Sequence, residues 1–202
     1  MSGRDRTDAR AHSAAVRIAA ELNKRDVEAS GDGTEQRRLR VAEANTADAA
    51  ALHALLTEFA VFEQDEMVRT AEELRRDMGA GWFGCVFLET SDGTPMGFTC
   101  YSIKYSTFHG PSVYMIDLFV REQFRSSRRR EGGSGGGHGK LLMQFNAALA
   151  LDQDCERLDW HVDSWNDKGR AFYLAQGGFD TEQQSWRITR TGGGLERFVA
   201  KI

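Results

Sequence analysis

No apolar run in this sequence approaches the length needed to cross a bilayer, which argues against a membrane-spanning helix. Cysteine is scarce. Cys85, Cys100 and Cys155 are scattered, odd in number and without Cys-x-x-Cys spacing, so no disulfide framework is expected and a reducing compartment is. The histidines His12, His53, His109, His138 and His161 show no ligand spacing, so no metal is expected. Positive charge is not in excess either. A net charge of −4 argues against nucleic acid or an anionic membrane surface as the main partner. No internal repeat is visible. The N-terminal MSGRDRTDARAHSAAVRIAAELNKRD is arginine-rich like a transit peptide, yet it carries Asp5, Asp8 and Glu21, so it reads as cytoplasmic. What remains, 202 residues at 41% hydrophobic and 28% charged, suits one domain with a tail and a proper core.

The organising stretch runs from Ser112 to Ala150. Ser112 to Val120 is an almost unbroken apolar run of strand length, as expected for a central strand covered on both faces. A glycine-dense, arginine-flanked loop follows. Leu141, Leu142, Phe145 and Leu149 then recur at helical spacing, so a helix starts on the last glycines. Strand, glycine loop and helix together make a phosphate cradle, because the free N–H groups of the first helical turn face into the loop. Counting eliminates two versions of that cradle. A P-loop ending at Gly139-Lys140 would need glycine at Ser134 and a hydroxyl at Leu141. A dinucleotide fingerprint beginning at Gly135 and Gly137 meets Lys140 where its third glycine belongs. The match of Gly132, Ser134 and Gly136 to a nucleophile elbow follows from the Gly/Ser composition, and this serine does not directly follow the strand.

Along the chain, residues 1–36 read as a disordered or loosely structured extension, with a short helix over Ala14 to Leu22 as the alternative, its apolar stripe thin and mostly alanine. The domain proper is expected over 37–202. It opens with a strand at Arg38 to Glu43 and a helix capped by Thr46 or Asp48 that runs through Phe62. A short helix follows over Thr70 to Asp77, opened by a Thr70/Glu73 capping box. Gly84 to Thr90 and Met96 to Ile103 flank Ser91-Asp92-Gly93-Thr94 as a β-hairpin. After the central strand and helix come a strand at Arg157 to Val162 and a helix at Asp167 to Gln176 ended by Gly177-Gly178. Two strands close the chain, at Trp186 to Arg190 and Arg197 to Ile202. The order is mixed α/β.

Two segments resemble the GNAT acetyltransferase superfamily. The first is Asp117-Leu118-Phe119-Val120, then Phe124-Arg125, then Gly137-His138-Gly139, with Ser126 to Gly136 inserted where the family has a very short loop. The second is Trp165-Asn166, then Phe172-Tyr173, Gly177-Gly178 and Phe179. Phe62-Glu63 and Trp186-Arg187 extend the likeness to the spermidine/spermine (diamine) N-acetyltransferase group, which includes thialysine acetyltransferases. The resemblance implies the GNAT fold, a mostly antiparallel mixed sheet flanked by helices. It implies acetyl-CoA as co-substrate, no metal, a small-molecule primary amine as acceptor and a homodimer.

Residue by residue, it implies that the main chain of Leu118, Phe119 and Val120 holds the pantetheine and acetyl carbonyl. Gly137, His138, Gly139 and Lys140, with Arg125 nearby, would take the pyrophosphate. Asn166, Lys168 and Gly169 would complete the cofactor site, and Tyr173 would be the general acid. Phe62, Glu63, Asp117 and His161 would line the acceptor side. A phenol with a reference pKa near 10 stays protonated at neutral pH, yet can donate to a thiolate whose conjugate acid is near 8.5. Read from the residues alone, Tyr173 is better taken as an amphipathic core tyrosine. Glu63 could be an exposed helix end, Asp117 a structural hydrogen-bonding group, and His161 with Trp160 simple packing. Arg128 to Arg130 reads as a solvated loop or as an electrostatic lure for CoA phosphates. The chain departs from the polyamine enzymes at Ile116, and at Gln183 and Gln184, where they carry glutamates. A thialysine or other amino-acid amine is therefore an alternative acceptor, and a catalytically weak CoA-binding regulatory protein an alternative role.

Overall fold

The computed structural model describes residues 3–30, 37–125 and 137–178. The insertion 126–136, Phe179, Gln183, Gln184, Trp186, Arg187 and both closing strands expected from the sequence lie outside the described residues. The chain divides into two compact units, Met1–His161 and Val162–Ile202.

In the first unit, β1 (Arg37–Val41), β2 (Gly84–Thr90), β3 (Pro95–Ser106), β4 (Gly110–Val120) and β5 (Arg157–Asp159) form one sheet in that order. Neighbours from β1 to β4 are antiparallel, and β5 lies parallel to β4. The β2–β3 hairpin closes at the expected residues. Asp92 accepts the Thr94 N–H at 3.1 Å, Thr90 Oγ1 accepts it at 3.0 Å, and Gly93 takes the positive φ of 88° that the turn requires.

Helices cover both faces. Helix α1 (Gly3–Ser30) and helix α4 (His138–Asp152) share one apolar cluster with Leu39, Val86, Leu88, Val113 and Val120. Helices α2 (Thr46–Glu63) and α3 (Ala71–Gly79) share the other with Phe87, Phe98 and Phe119. Fully buried side chains such as Phe87, Phe98 and Phe145 each contribute about 1.5–3 kcal/mol of burial. Helix α3 opens with the expected capping box, Glu73 N to Thr70 Oγ1 at 3.2 Å and Thr70 N to Glu73 Oε2 at 2.9 Å. Helix α2 is capped one residue earlier than expected. Asn45 Oδ1 accepts the Asp48 N–H at 2.8 Å, while the Asp48 carboxylate binds Arg40 at 2.9 Å and the Glu43 N–H at 2.7 Å.

The largest difference from the sequence reading is α1. The helix is longer than the short one over Ala14 to Leu22 that the sequence offered as an alternative, and Ala14, Ala15, Ile18 and Ala19 are buried in the cluster they share with α4. A stripe of alanine buries little area per residue but lets a helix backbone approach closely, and polar ties do the rest. Asn23 exchanges two hydrogen bonds with the Leu39 main chain at 2.7 and 2.9 Å. Asp26 receives a fork from Arg37 at 2.8 and 2.7 Å, and Arg17 pairs with Asp152. Strand β5 is also shorter than expected and stops at Asp159, because its register with β4 ends at Tyr114.

Candidate functional site

The site is built on a fault in β4. Cys100 on β3 stands opposite Asp117 and Tyr101 opposite Met115, so Ile116 is a surplus, bulged residue. Val113 and Val120, seven apart, belong to the same buried cluster, which a regular two-residue alternation would forbid. Ile116 itself is 42% exposed.

Beyond the bulge the backbone parity is fixed. The Arg121 N–H donates to Met96 O at 2.9 Å, towards β3. Alternate residues of an antiparallel strand direct their backbone groups to opposite sides, so Asp117 and Phe119 face β3 while Leu118 and Val120 face away. On that far side β5 pairs only with Ser112 to Tyr114. Among the described residues no strand accompanies Leu118 and Val120. Their edge is open to a ligand that can hydrogen-bond like a strand.

Several groups gather at the end of that edge. Arg125 Nε donates to Val120 O at 2.7 Å, and its guanidinium lies 5.0 Å from the Phe62 ring centroid and 5.5 Å from that of Phe119. Arg121 makes a fork to Glu58 at 2.8 and 2.6 Å and donates to Pro95 O at 2.6 Å, which holds the Glu58 carboxyl below its ordinary range. His138 turns its Nδ1 to Phe124 O and so ties the start of α4 to the turn after β4. Helix α4 has Gly137 as its N-cap, without a side-chain cap, and its first backbone bond runs from Leu141 N to Gly137 O. The N–H groups of His138, Gly139 and Lys140 therefore stand ahead of the helical ladder, at the positive end of the dipole.

On the α2–α3 face, Asp117 is set in apolar surroundings that push its carboxyl up to about 6. Among the described residues none donates a hydrogen bond or lends a cation to that carboxylate. Cys100, directly opposite and fully buried, is raised well above the ordinary thiol range, first by its contact with Cys85 and then by burial. Tyr114 Oη meets His161 Nδ1 at 2.6 Å, and Lys104 Nζ sits over the Tyr114 ring. Glu63 is the last residue of α2.

In the second unit, helix α5 (Asp167–Ala175) is capped by Asn166, whose Oδ1 accepts the Gly169 N–H at 2.8 Å. A Cβ at Gly169 would fall 2.8 Å from the Asn166 side-chain amide, so the capping turn needs glycine there. Lys168 is exposed on the first turn. Tyr173 is half-buried and meets Phe172 edge to face at 5.1 Å between ring centroids.

The acetyltransferase (GNAT) family model matches residues 49–179. The chain belongs to the GNAT acetyltransferase family. It is similar to thialysine N-epsilon-acetyltransferase of Bos taurus, with 29% identity over 172 residues, covering 79% of this chain and 96% of that protein. It is also similar to spermidine/spermine N(1)-acetyltransferase-like protein 1 of Homo sapiens, 24% identical over 163 residues, covering 75% of this chain and 22% of that protein. In fold it resembles an integron cassette protein from the mobile metagenome of V. cholerae, with a TM-score of 0.61 at 20% identity over 83% of this chain and 99% of that one.

A GNAT acetyltransferase is an N-acetyltransferase that uses acetyl-CoA, and the described residues fit that co-substrate. An open strand edge suits the amides of a pantetheine arm, and unladdered N–H groups at a helix start suit a diphosphate. Of the residues singled out in the sequence, Leu118, Phe119, Val120, Arg125 and Phe62 come together here, with the start of α4 tied in through His138. Asp117 shares the strand but faces the α2–α3 side. Asn166, Lys168, Gly169 and Tyr173 share the turn and helix of the second unit. The sequence reading missed Arg121 and Glu58, whose pairing joins α2 to the end of β4. Their separation of 63 residues left no local signal. No cluster of three or more His, Cys, Asp or Glu able to hold a metal occurs among the described residues. Nor is any described helix long and apolar enough to cross a membrane.

Proposed function

We propose that this acetyltransferase acts on the primary amine of a small molecule, and that amino-acid amines of the thialysine type are better acceptors than long polyamines. The observation that carries the reading is the Asp117 carboxylate on β4, to which no described residue donates a hydrogen bond or lends a cation. One half-buried carboxylate suits one ammonium group. A long polyamine wants several, and Ile116, next to Asp117, is apolar. The thialysine enzymes among the relatives support the same choice.

In this reading Leu118 N–H bonds the acetyl carbonyl, Val120 and Phe119 flank the pantetheine, and Arg125 with Gly137 to Lys140 takes the phosphates. Asn166, Lys168 and Gly169 complete the cofactor contacts. Asp117, with Phe62, Glu63 and His161, receives the acceptor. An alkyl ammonium has a pKa of about 10.4 and must first lose a proton to water. The amine nitrogen then adds to the thioester carbon, the C–S bond breaks and the departing thiolate takes the phenolic proton of Tyr173, while the nitrogen gives up its surplus proton to water and water reprotonates the phenolate. The reading includes a homodimer and a GNAT domain over 37–202, as the family resemblance implies, and a cytoplasmic location, on the cysteine usage and the acidic residues of the N-terminal stretch.

The test is a thiol-release assay with acetyl-CoA over thialysine, lysine, putrescine and spermidine. Thialysine should give the highest kcat/KM, and Tyr173→Phe should lower kcat by about a hundredfold or more. Acetyl-CoA binding with no thiol release on any amine would instead establish a CoA-binding protein without turnover.

A further inference from the structure

A buried polar chain runs from α4 through β3 to β4. Asn146 lies on the inner face of α4, fully buried among Leu142, Phe145 and Leu149. Its Nδ2 donates to Leu142 O at 2.9 Å and to Thr99 Oγ1 at 3.0 Å. Thr99, also fully buried, lies within 2.9 Å of Asp117 O. The amide brings a hydrogen to Oγ1, so the hydroxyl sends its own hydrogen on to the Asp117 carbonyl. Among the described residues Asn146 Oδ1 has no partner. An orphaned buried oxygen is destabilising, and leucine would serve the surrounding packing better. What the asparagine supplies instead is a chain of hydrogen bonds ending on one carbonyl, next to the bulge.

We infer that Asn146 and Thr99 are positioning residues that fix the Asp117–Leu118 peptide plane and so aim the Leu118 N–H at the acetyl carbonyl oxygen. The inference rests on the acetyl-transfer reading of the β4 edge. In a planar trans peptide the C=O and N–H point in opposite directions. A carbonyl drawn towards β3 therefore turns the Leu118 N–H towards the open side. The ladder pairs Asp117 with Cys100, but the bulge breaks the register at the very next position, and the side-chain strap from β3 and α4 adds a second tie on the same carbonyl. Negative charge gathers on the carbonyl oxygen only as the amine adds. The aim of this donor consequently matters more in the transition state than in binding.

The strap is tested with the full chain in the thiol-release assay, using Thr99→Val, Thr99→Ser and Asn146→Leu, each with a thermal melt. Thr99→Val should lower kcat by about ten- to a hundredfold with the KM for acetyl-CoA within about twofold of wild type. Thr99→Ser, which keeps the hydroxyl, should recover most of the rate. Asn146→Leu should lower kcat similarly while its Tm holds or rises, since the orphan oxygen is gone. Wild-type kcat in Thr99→Val and Asn146→Leu overturns this inference alone. So does a rate loss that follows Tm and that serine does not rescue. Absence of thiol release by the wild type on any amine overturns the acetyl-transfer reading, and this inference with it.

Discussion

Replacing Asp117 by asparagine removes a charge from a site that disfavours it and leaves the shape almost unchanged. Burial raises the Asp117 carboxyl from 3.8 to about 6, so the folded protein binds this proton more tightly than the unfolded chain does. The favourable linkage is complete below pH 3.8 and is lost as pH rises through 6. At neutral pH the ionised side chain therefore weighs against folding, and at about 1.4 kcal/mol per tenfold change the gap is worth about 2–3 kcal/mol. The asparagine amide has its own desolvation penalty, but that penalty does not vary with pH. The variant's stability relative to wild type should accordingly rise by about 2–3 kcal/mol between pH 4 and pH 8. Urea denaturation of both proteins at half-unit pH intervals reads this directly, because every other titrating group cancels in the difference. A flat difference, or one that grows towards acid, would refute the burial argument. The same variant should lose turnover on amines, as expected when a destabilised group serves the site.

Two further outcomes test how the sheet is held. Asn23→Ala removes both partners of the Leu39 main chain on the edge strand β1, and should destabilise the protein by about 1–3 kcal/mol. Hydrogen exchange would then show the Leu39 amide losing protection before the core strands; unchanged protection there would contradict the assignment. A Cβ at Gly97 would fall 2.3 Å from Phe119 O and 3.0 Å from the Val120 Cα, so Gly97→Ala must push β3 off β4 where the open edge begins. A loss of about 1–3 kcal/mol in denaturation is expected, and an alanine variant as stable as wild type would show that the strands are not so close.

Much of the fold was legible because local chemistry and tertiary structure agree. The Thr70/Glu73 box, the turn around Gly93 and the apolar spacing that starts α4 at Gly137 are signals a few residues long, and each survives unchanged in the structure. Three features were not legible. Helix α1 is held by close approach of alanines and by Asn23, Asp26 and Arg17 reaching partners far along the chain, which no periodicity reports. In the run Asn45-Thr46-Ala47-Asp48 three residues can cap, and the choice fell to Asn45 because Arg40 and the Glu43 N–H claim Asp48. The bulge at Ile116 sits inside an apolar run where any register looks acceptable. Of the candidate site, the residues at the end of β4 were readable as a motif. The supports behind them, Arg121, Glu58, Thr99 and Asn146, were not, because each acts on a distant partner.

The surplus residue in β4 makes that strand more sensitive to counting than to lettering. Exchanging Ile116 for another side chain leaves Tyr114 and Asp117 looking where they look now. Deleting it turns one half of the strand over, and either Val113 or Val120 must leave its oily bed for the opposite layer. A substitution there changes one letter, but a change of length would invert the half of the strand that carries Leu118 and Val120.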